Sequence, residues 1–81
     1  MEIKVRLFAL LKEKAGCEEI RVRWFEGFRG RDVFSYLAEN YEGLVSLLPQ
    51  SLLAINGSFA YPDAVLQPGD ELAILPPVSG G

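Results

Sequence analysis

The sequence predicts an α+β fold, a mixed β-sheet with one main helix packed across one face and a flexible tail after the last strand. Three observations carry this expectation. Period-two alternation opens the chain, a helical repeat occupies its middle, and an Asn56-Gly57 hairpin signal followed by a final apolar strand closes it. Two strands, a helix and then further strands describe an α+β roll, not the alternating units of a parallel α/β sheet.

Taken in order, Ile3, Val5 and Leu7 alternate with Glu2, Lys4 and Arg6, so residues 2–8 form a first strand with one face buried. Residues 9–15 are good helix formers that stop at Gly16, a suitable C-terminal cap, and predict one or two helical turns. Alternation resumes over residues 19–24, with Ile20 and Val22 inward. Val33, Tyr36, Leu37 and Tyr41 recur at helical spacing, which places Asp32 as N-cap of an amphipathic helix ending near Glu42-Gly43. Residues 44–48 predict a short helical turn before Pro49. Residues 51–55 read as a third strand, Asn56-Gly57 as a two-residue hairpin turn and residues 59–61 as the return strand. Pro62-Asp63 and Pro68-Gly69-Asp70 punctuate the approach to the last strand, Glu71–Leu75, whose Leu72 and Ile74 point inward. That strand is expected in the centre of the sheet beside the first. Residues 1–75 are thus the folded domain and residues 76–81 an extended tail.

Composition narrows the function. The 81 residues make one small domain, and 49% apolar content suffices for a core. A single Cys17 rules out an internal disulfide framework, and no apolar run approaches the roughly 18 residues of a membrane span. Alternation beginning at Met1 leaves no room for a signal peptide, so the expectation is a cytoplasmic, soluble protein. Net charge −3 argues against nucleic acid as main partner, because phosphate binding needs clustered Lys and Arg. Trp24, Phe25 and Phe28 among Arg21, Arg23, Arg29 and Arg31 read on this acidic chain as an edge strand and an aromatic-packed loop. There is no histidine, which removes the commonest general base, the His-activated nucleophiles and the usual zinc sites. Cys17 has no basic pair beside it to activate the thiol and reads as a loop or edge residue. Gly16 and Gly30 form no phosphate cradle, so no nucleotide cofactor is expected on this chain.

The tail is the best candidate for a working group. Pro76 and Pro77 each fix φ and favour a stiff polyproline spacer, which leads through Val78 and Ser79 to Gly80 and Gly81. Glycines lack Cβ, so such a tip can lie extended in a slot too narrow for any side chain. From Pro76 to Gly81 the reach is at most about 20 Å. That is enough to enter a partner's active site while the domain stays outside.

Phe8-Ala9, Lys12-Glu13-Lys-Ala-Gly16, Leu53-Ala-Ile-Asn56 and above all Leu66-Gln-Pro-Gly-Asp-Glu-Leu-Ala-Ile-Leu-Pro-Pro-Val-Ser-Gly-Gly81 resemble the small, sulfur-carrying subunit of molybdopterin synthase, the MoaD family. The similarity runs end to end, and its specific part is the Gly-Asp-Glu turn, the last strand and the Pro-Pro-Val-Ser-Gly-Gly ending. The resemblance implies a ubiquitin-like β-grasp roll and a carrier function. An adenylating enzyme related to ubiquitin-activating enzymes would activate the Gly81 carboxylate with ATP, and a sulfur donor protein would supply sulfur. The resulting thiocarboxylate would enter the large synthase subunit, in an expected heterotetramer, to deliver dithiolene sulfur to a cyclic pyranopterin precursor. Catalytic groups would belong to the partners, in keeping with a chain without histidine. The segment from Trp24 to Arg31 departs most from the family pattern.

A docking surface is suggested by parity. Phe8 has parity opposite to Ile3, Val5 and Leu7, Leu75 opposite to Leu72 and Ile74, and Phe59 follows the hairpin turn, so all three can lie on the face away from the helix. The alternative is that bends at the strand ends fold them into the core. The resemblance implies that matching positions meet the large subunit. Two further functions share the Gly-Gly ending: a sulfur carrier for thiamine or transfer-RNA thiolation, and a ubiquitin-like protein modifier.

Overall fold

The computed structural model describes residues 1–77. In chain order the elements are β1 (Glu2–Leu7), α1 (Leu10–Ala15), β2 (Glu19–Arg23), α2 (Gly30–Asn40), 3₁₀ turns at Glu42–Leu44 and Leu48–Gln50, β3 (Leu52–Ile55), β4 (Ser58–Ala60) and β5 (Glu71–Leu75). The five strands form one mixed sheet in the order β2-β1-β5-β3-β4. β1 and β5 run parallel, with Leu7 opposite Ile74, while β5 and β3 run antiparallel, with Leu52 opposite Leu75. The last strand is therefore central, hydrogen-bonded on both sides.

One face of the sheet carries Ile3, Val5, Leu7, Ile20, Val22, Leu53, Leu72 and Ile74, all buried in one cluster with Val33 and Leu37 of α2. Each such aliphatic side chain contributes about 1.5–3 kcal/mol on full burial. The period-two pattern thus becomes a one-sided core.

Four local expectations are corrected. The first helix begins at Leu10, not residue 9, because Ala9 sits at φ 50°, ψ −125°. There the Phe8 carbonyl accepts the Leu11 N–H at 3.1 Å in a tight reverse turn. Asp32 is not the N-cap of α2 but lies in its first turn, where its carboxylate accepts the Arg29 backbone N–H at 2.8 Å. The free N–H groups at the helix start go instead to a distant loop: Gly30 donates to the Ala64 carbonyl at 3.1 Å and Arg31 to Pro62 at 2.7 Å. The helix ends at Asn40, short of Glu42-Gly43, since Tyr41 leaves the helical region at φ −134°. Finally, the single turn expected over residues 44–48 is two separate 3₁₀ turns, and Pro49 lies inside the second, where an early helical position tolerates it.

The hairpin is as the dipeptide demands. Asn56 and Gly57 have φ of 49° and 87°, left-handed at both positions as a type I′ turn requires. The Asn56 side chain then ties the turn to the start of β5. Its Nδ2 donates to Asp70 Oδ1 at 2.9 Å, and its Oδ1 accepts the Glu71 N–H at 3.0 Å. Asp70 Oδ2 also accepts the Gln67 N–H at 2.7 Å, which closes the Pro68-Gly69-Asp70 turn. These bonds explain why that turn directly precedes the central strand.

Candidate functional site

The sheet face away from α2 is divided by strand order. At the β2 and β1 side it is charged: Glu2 stands opposite Arg23, and Lys4 opposite Arg21. Arg21 reaches Glu19 at 3.3 Å and Glu2 at 4.0 Å, and Arg6 reaches Glu71 at 3.5 Å. Exposed pairs of this kind contribute about 0–1 kcal/mol each, so they keep this half hydrated more than they stabilise it. At the β5, β3 and β4 side the same face is apolar, with Leu75 opposite Leu52, Ala73 opposite Ala54 and Ala54 opposite Phe59.

The proposed contact residues up to Pro77 can be placed in this frame. Phe59 is 74% exposed on the edge strand, and Phe8, 40% exposed, follows β1 directly. Leu7 pairs with Ile74, and Phe8 and Leu75 each follow this last pair of the parallel ladder. Leu75 is half-buried, as are Pro76 and Pro77 where the chain leaves the sheet. Val78, Ser79, Gly80 and Gly81 lie outside the described residues. The readings of residues 76–81 as an extended tail and of Gly81 as the reacting end therefore rest on sequence.

The face also contains residues that parity did not single out. Leu52, 47% exposed, is the direct neighbour of Leu75, and Tyr61, 82% exposed, continues β4 beyond Phe59. With Pro62 they border an open groove of about 510 Å³ along β3 and β4. Leu52 was detectable in principle, since its parity is opposite to buried Leu53. Its pairing with Leu75 required the register.

Alanines at 54 and 73 make the centre of this face shallow, between the larger Leu52, Leu75 and Phe59. Such an arrangement offers a partner an apolar seat from which β5 leads on to Pro76. Contiguous exposed apolar surface rimmed by charge is the usual mark of an association site. Ala9, next to Phe8, sits at φ 50°, a conformation that costs a residue other than glycine about 1–3 kcal/mol.

The other aromatics have structural partners. Phe28 is buried, Phe25 packs on it with ring centres 4.4 Å apart, and the Trp24 indole N–H donates to the Leu66 carbonyl at 2.9 Å. Cys17 lies half-buried beside Tyr41. The Tyr41 hydroxyl is held above its usual 10.0, first by burial, then by the neighbouring Cys17 and Tyr36. Among the described residues, no three acidic or cysteine side chains cluster as metal ligands would, and no helix is long and apolar enough to cross a membrane.

Comparison with known proteins places this geometry. A molybdopterin synthase sulfur carrier subunit from Chlamydomonas reinhardtii is 34% identical over 83 residues, covering 100% of both chains. Among solved structures, SAMP1 of Haloferax volcanii superposes with a TM-score of 0.87 at 31% identity, again over 100% of both chains. A subunit in the protein-protein complex of subunits 1 and 2 of the molybdopterin-converting factor from Helicobacter pylori matches with a TM-score of 0.74 at 29% identity, over 100% of each chain. These neighbours share the ubiquitin-like β-grasp fold. The ThiS family model matches residues 5–81, so its agreement covers the second half of β1, the other four strands, both helices and the Gly-Gly ending. With its central last strand, its helix across one face and that match over nearly its full length, the chain belongs to the ThiS family.

Proposed function

We propose that this chain is the sulfur-carrying small subunit of a molybdopterin synthase. The observation that carries the reading is the apolar face formed by Leu52, Ala54, Phe59, Ala73 and Leu75 at the point where central β5 hands over to Pro76. A large subunit seated on that face would receive the following residues directly. The relatives named as molybdopterin synthase sulfur carrier subunits, and the two-subunit complex from Helicobacter pylori, support this partner.

The reacting group in this reading is the Gly81 carboxylate. An α-carboxyl group titrates at about 3.3–3.7, so at neutral pH it is an anion that resists nucleophiles. Activation resolves this. A carboxylate oxygen attacks the α-phosphorus of ATP on an adenylating partner, pyrophosphate departs, and the acyl carbon of the mixed anhydride becomes electrophilic. Hydrosulfide released by a donor protein then attacks the acyl carbon, the C–O bond to AMP breaks, and loss of the S–H proton leaves the thiocarboxylate. This chain contributes presentation: β5 fixes where the tail starts, the proline pair stiffens it, and Gly80 and Gly81 pass a narrow channel. ATP is bound by the partner and not here.

The test is mass spectrometry of the C-terminal fragment after incubation with adenylating enzyme, ATP and a sulfur donor, followed by thiol-directed alkylation. Alkylated Gly81 is expected, and deletion of Gly81 or extension beyond it should abolish loading while the melting temperature stays unchanged. Loading that persists in either variant would refute the carrier reading. A second reading, a protein modifier, is favoured by the likeness to small archaeal modifier protein 1 of Haloferax volcanii. It predicts isopeptide-linked adducts of higher mass in the same incubation when target proteins are supplied.

A further inference from the structure

The sheet has a second edge, far from the docking face, and its chemistry is self-complementary. β2 lies at the end of the order β2-β1-β5-β3-β4 and is paired only with β1. Backbone bonds from Leu7 N–H to the Glu18 carbonyl and from Trp24 N–H to the Met1 carbonyl, both 2.9 Å, show that even-numbered residues of this segment face β1. In an antiparallel ladder the bonding groups alternate sides. The N–H and C=O groups of Glu19, Arg21 and Arg23 therefore point out from the sheet, and among the described residues no backbone group pairs with them.

We infer that β2 is a docking edge for a second copy of this chain, joining two sheets by antiparallel β2–β2 pairing centred on Arg21. Only that register uses all three outward residues of each strand: three N–H donors from each copy make six backbone bonds across the two-fold axis. It also sets Glu19 of one copy directly opposite Arg23 of the other, twice, and keeps Ile20 and Val22 together on the helix side. The face charges support it. Arg23 has no carboxylate within salt-bridge distance among the described residues and so is free to meet the partner's Glu19. The like pair at the axis is screened, since each Arg21 is bracketed by its own Glu19 at 3.3 Å and Glu2 at 4.0 Å. Charged side chains on an edge normally oppose indiscriminate strand pairing, so here they select one partner in one register.

Because β2 and β4 lie at opposite edges, such a dimer leaves Phe59, Leu52 and Leu75 accessible. The pairing would thus present two tails at once and is compatible with a large subunit on each apolar face. It stands independently of the sulfur-carrier reading, since it uses none of that face.

The experiment is sedimentation velocity on the full chain and on Glu19→Arg, Arg23→Glu and the double swap, from about 10 µM to about 1 mM. Wild type should move with concentration towards twice the 9.0 kDa chain mass. Each single substitution turns two cross-strand attractions into repulsions and should weaken association about tenfold or more. The double swap should restore it, and an equimolar mixture of the two single variants should form a heterodimer that neither makes alone. Thermal melting of each variant checks that folding is intact. A wild type that remains monomeric throughout, single variants that dimerise undiminished, or a mixture without rescue would each overturn the proposal.

Discussion

Replacing Phe59 by alanine separates an interface role from a structural one. The side chain is 74% exposed on a three-residue edge strand, and its cross-strand neighbour is the small Ala54. Little is therefore lost on folding, and the stability change should stay within about 0.5 kcal/mol, or about 2–4 °C in melting temperature. Binding should respond much more. Full burial of a phenylalanine contributes about 1.5–3 kcal/mol, so covering the three-quarters that stand in water contributes about 1–2 kcal/mol, and its loss weakens affinity about 5- to 30-fold. Isothermal titration of the variant against the molybdopterin synthase large subunit, beside a thermal melt, reads both quantities. A drop of 8 °C or so with affinity unchanged would refute the reasoning, because it would place Phe59 among the side chains that hold the sheet together.

Ala9→Gly should raise the melting temperature, because glycine adopts φ 50° without the steric cost that alanine bears there. Relief of about 1–3 kcal/mol exceeds the roughly 0.5–1 kcal/mol that glycine adds through unfolded-state entropy, so a lowered melting temperature would contradict the turn geometry. Tyr41→Phe should flatten the alkaline limb of the stability curve. Folding raises the Tyr41 value above its unfolded 10.0, so the folded state holds that proton more tightly, and the associated stability is complete below pH 10.0 and disappears as pH rises through the folded value. Urea titrations of wild type and variant at pH 8 and upwards measure the difference, and parallel curves would contradict the shift.

How much of this was legible depended on whether a signal was local. The alternation of Ile3, Val5 and Leu7 specified a one-sided strand because its period is a property of the backbone itself. Gly16 ended α1 at φ 78° and Asn56-Gly57 turned the hairpin because each supplies the backbone angle that its turn requires. The start of α2 was misplaced for the converse reason. Asp32 has the chemistry of an N-cap, yet the helix begins earlier, since Ala64 and Pro62, more than thirty residues downstream, supply the carbonyls that its first N–H groups need. Gly30 also marks a close approach, because a Cβ there would lie 2.6 Å from the Leu53 side chain. No window of sequence contains either partner.

The chain alone determined which residues favour strand, helix and turn, which of them are apolar, and that its chemistry cannot run on histidine. Those are consequences of side-chain type and of fixed backbone periods. The sequence also led to a last strand in the centre beside β1, and tertiary structure decided that its other neighbour is β3 and in which register the strands meet. That placement set Leu52 against Leu75, gathered Phe59 and the two alanines beside them, and pushed the charges of β2 to the opposite edge. The physical reason is register: parity says which side of a strand a residue takes, whereas its neighbours on that side are chosen by hydrogen bonds between segments far apart in the chain.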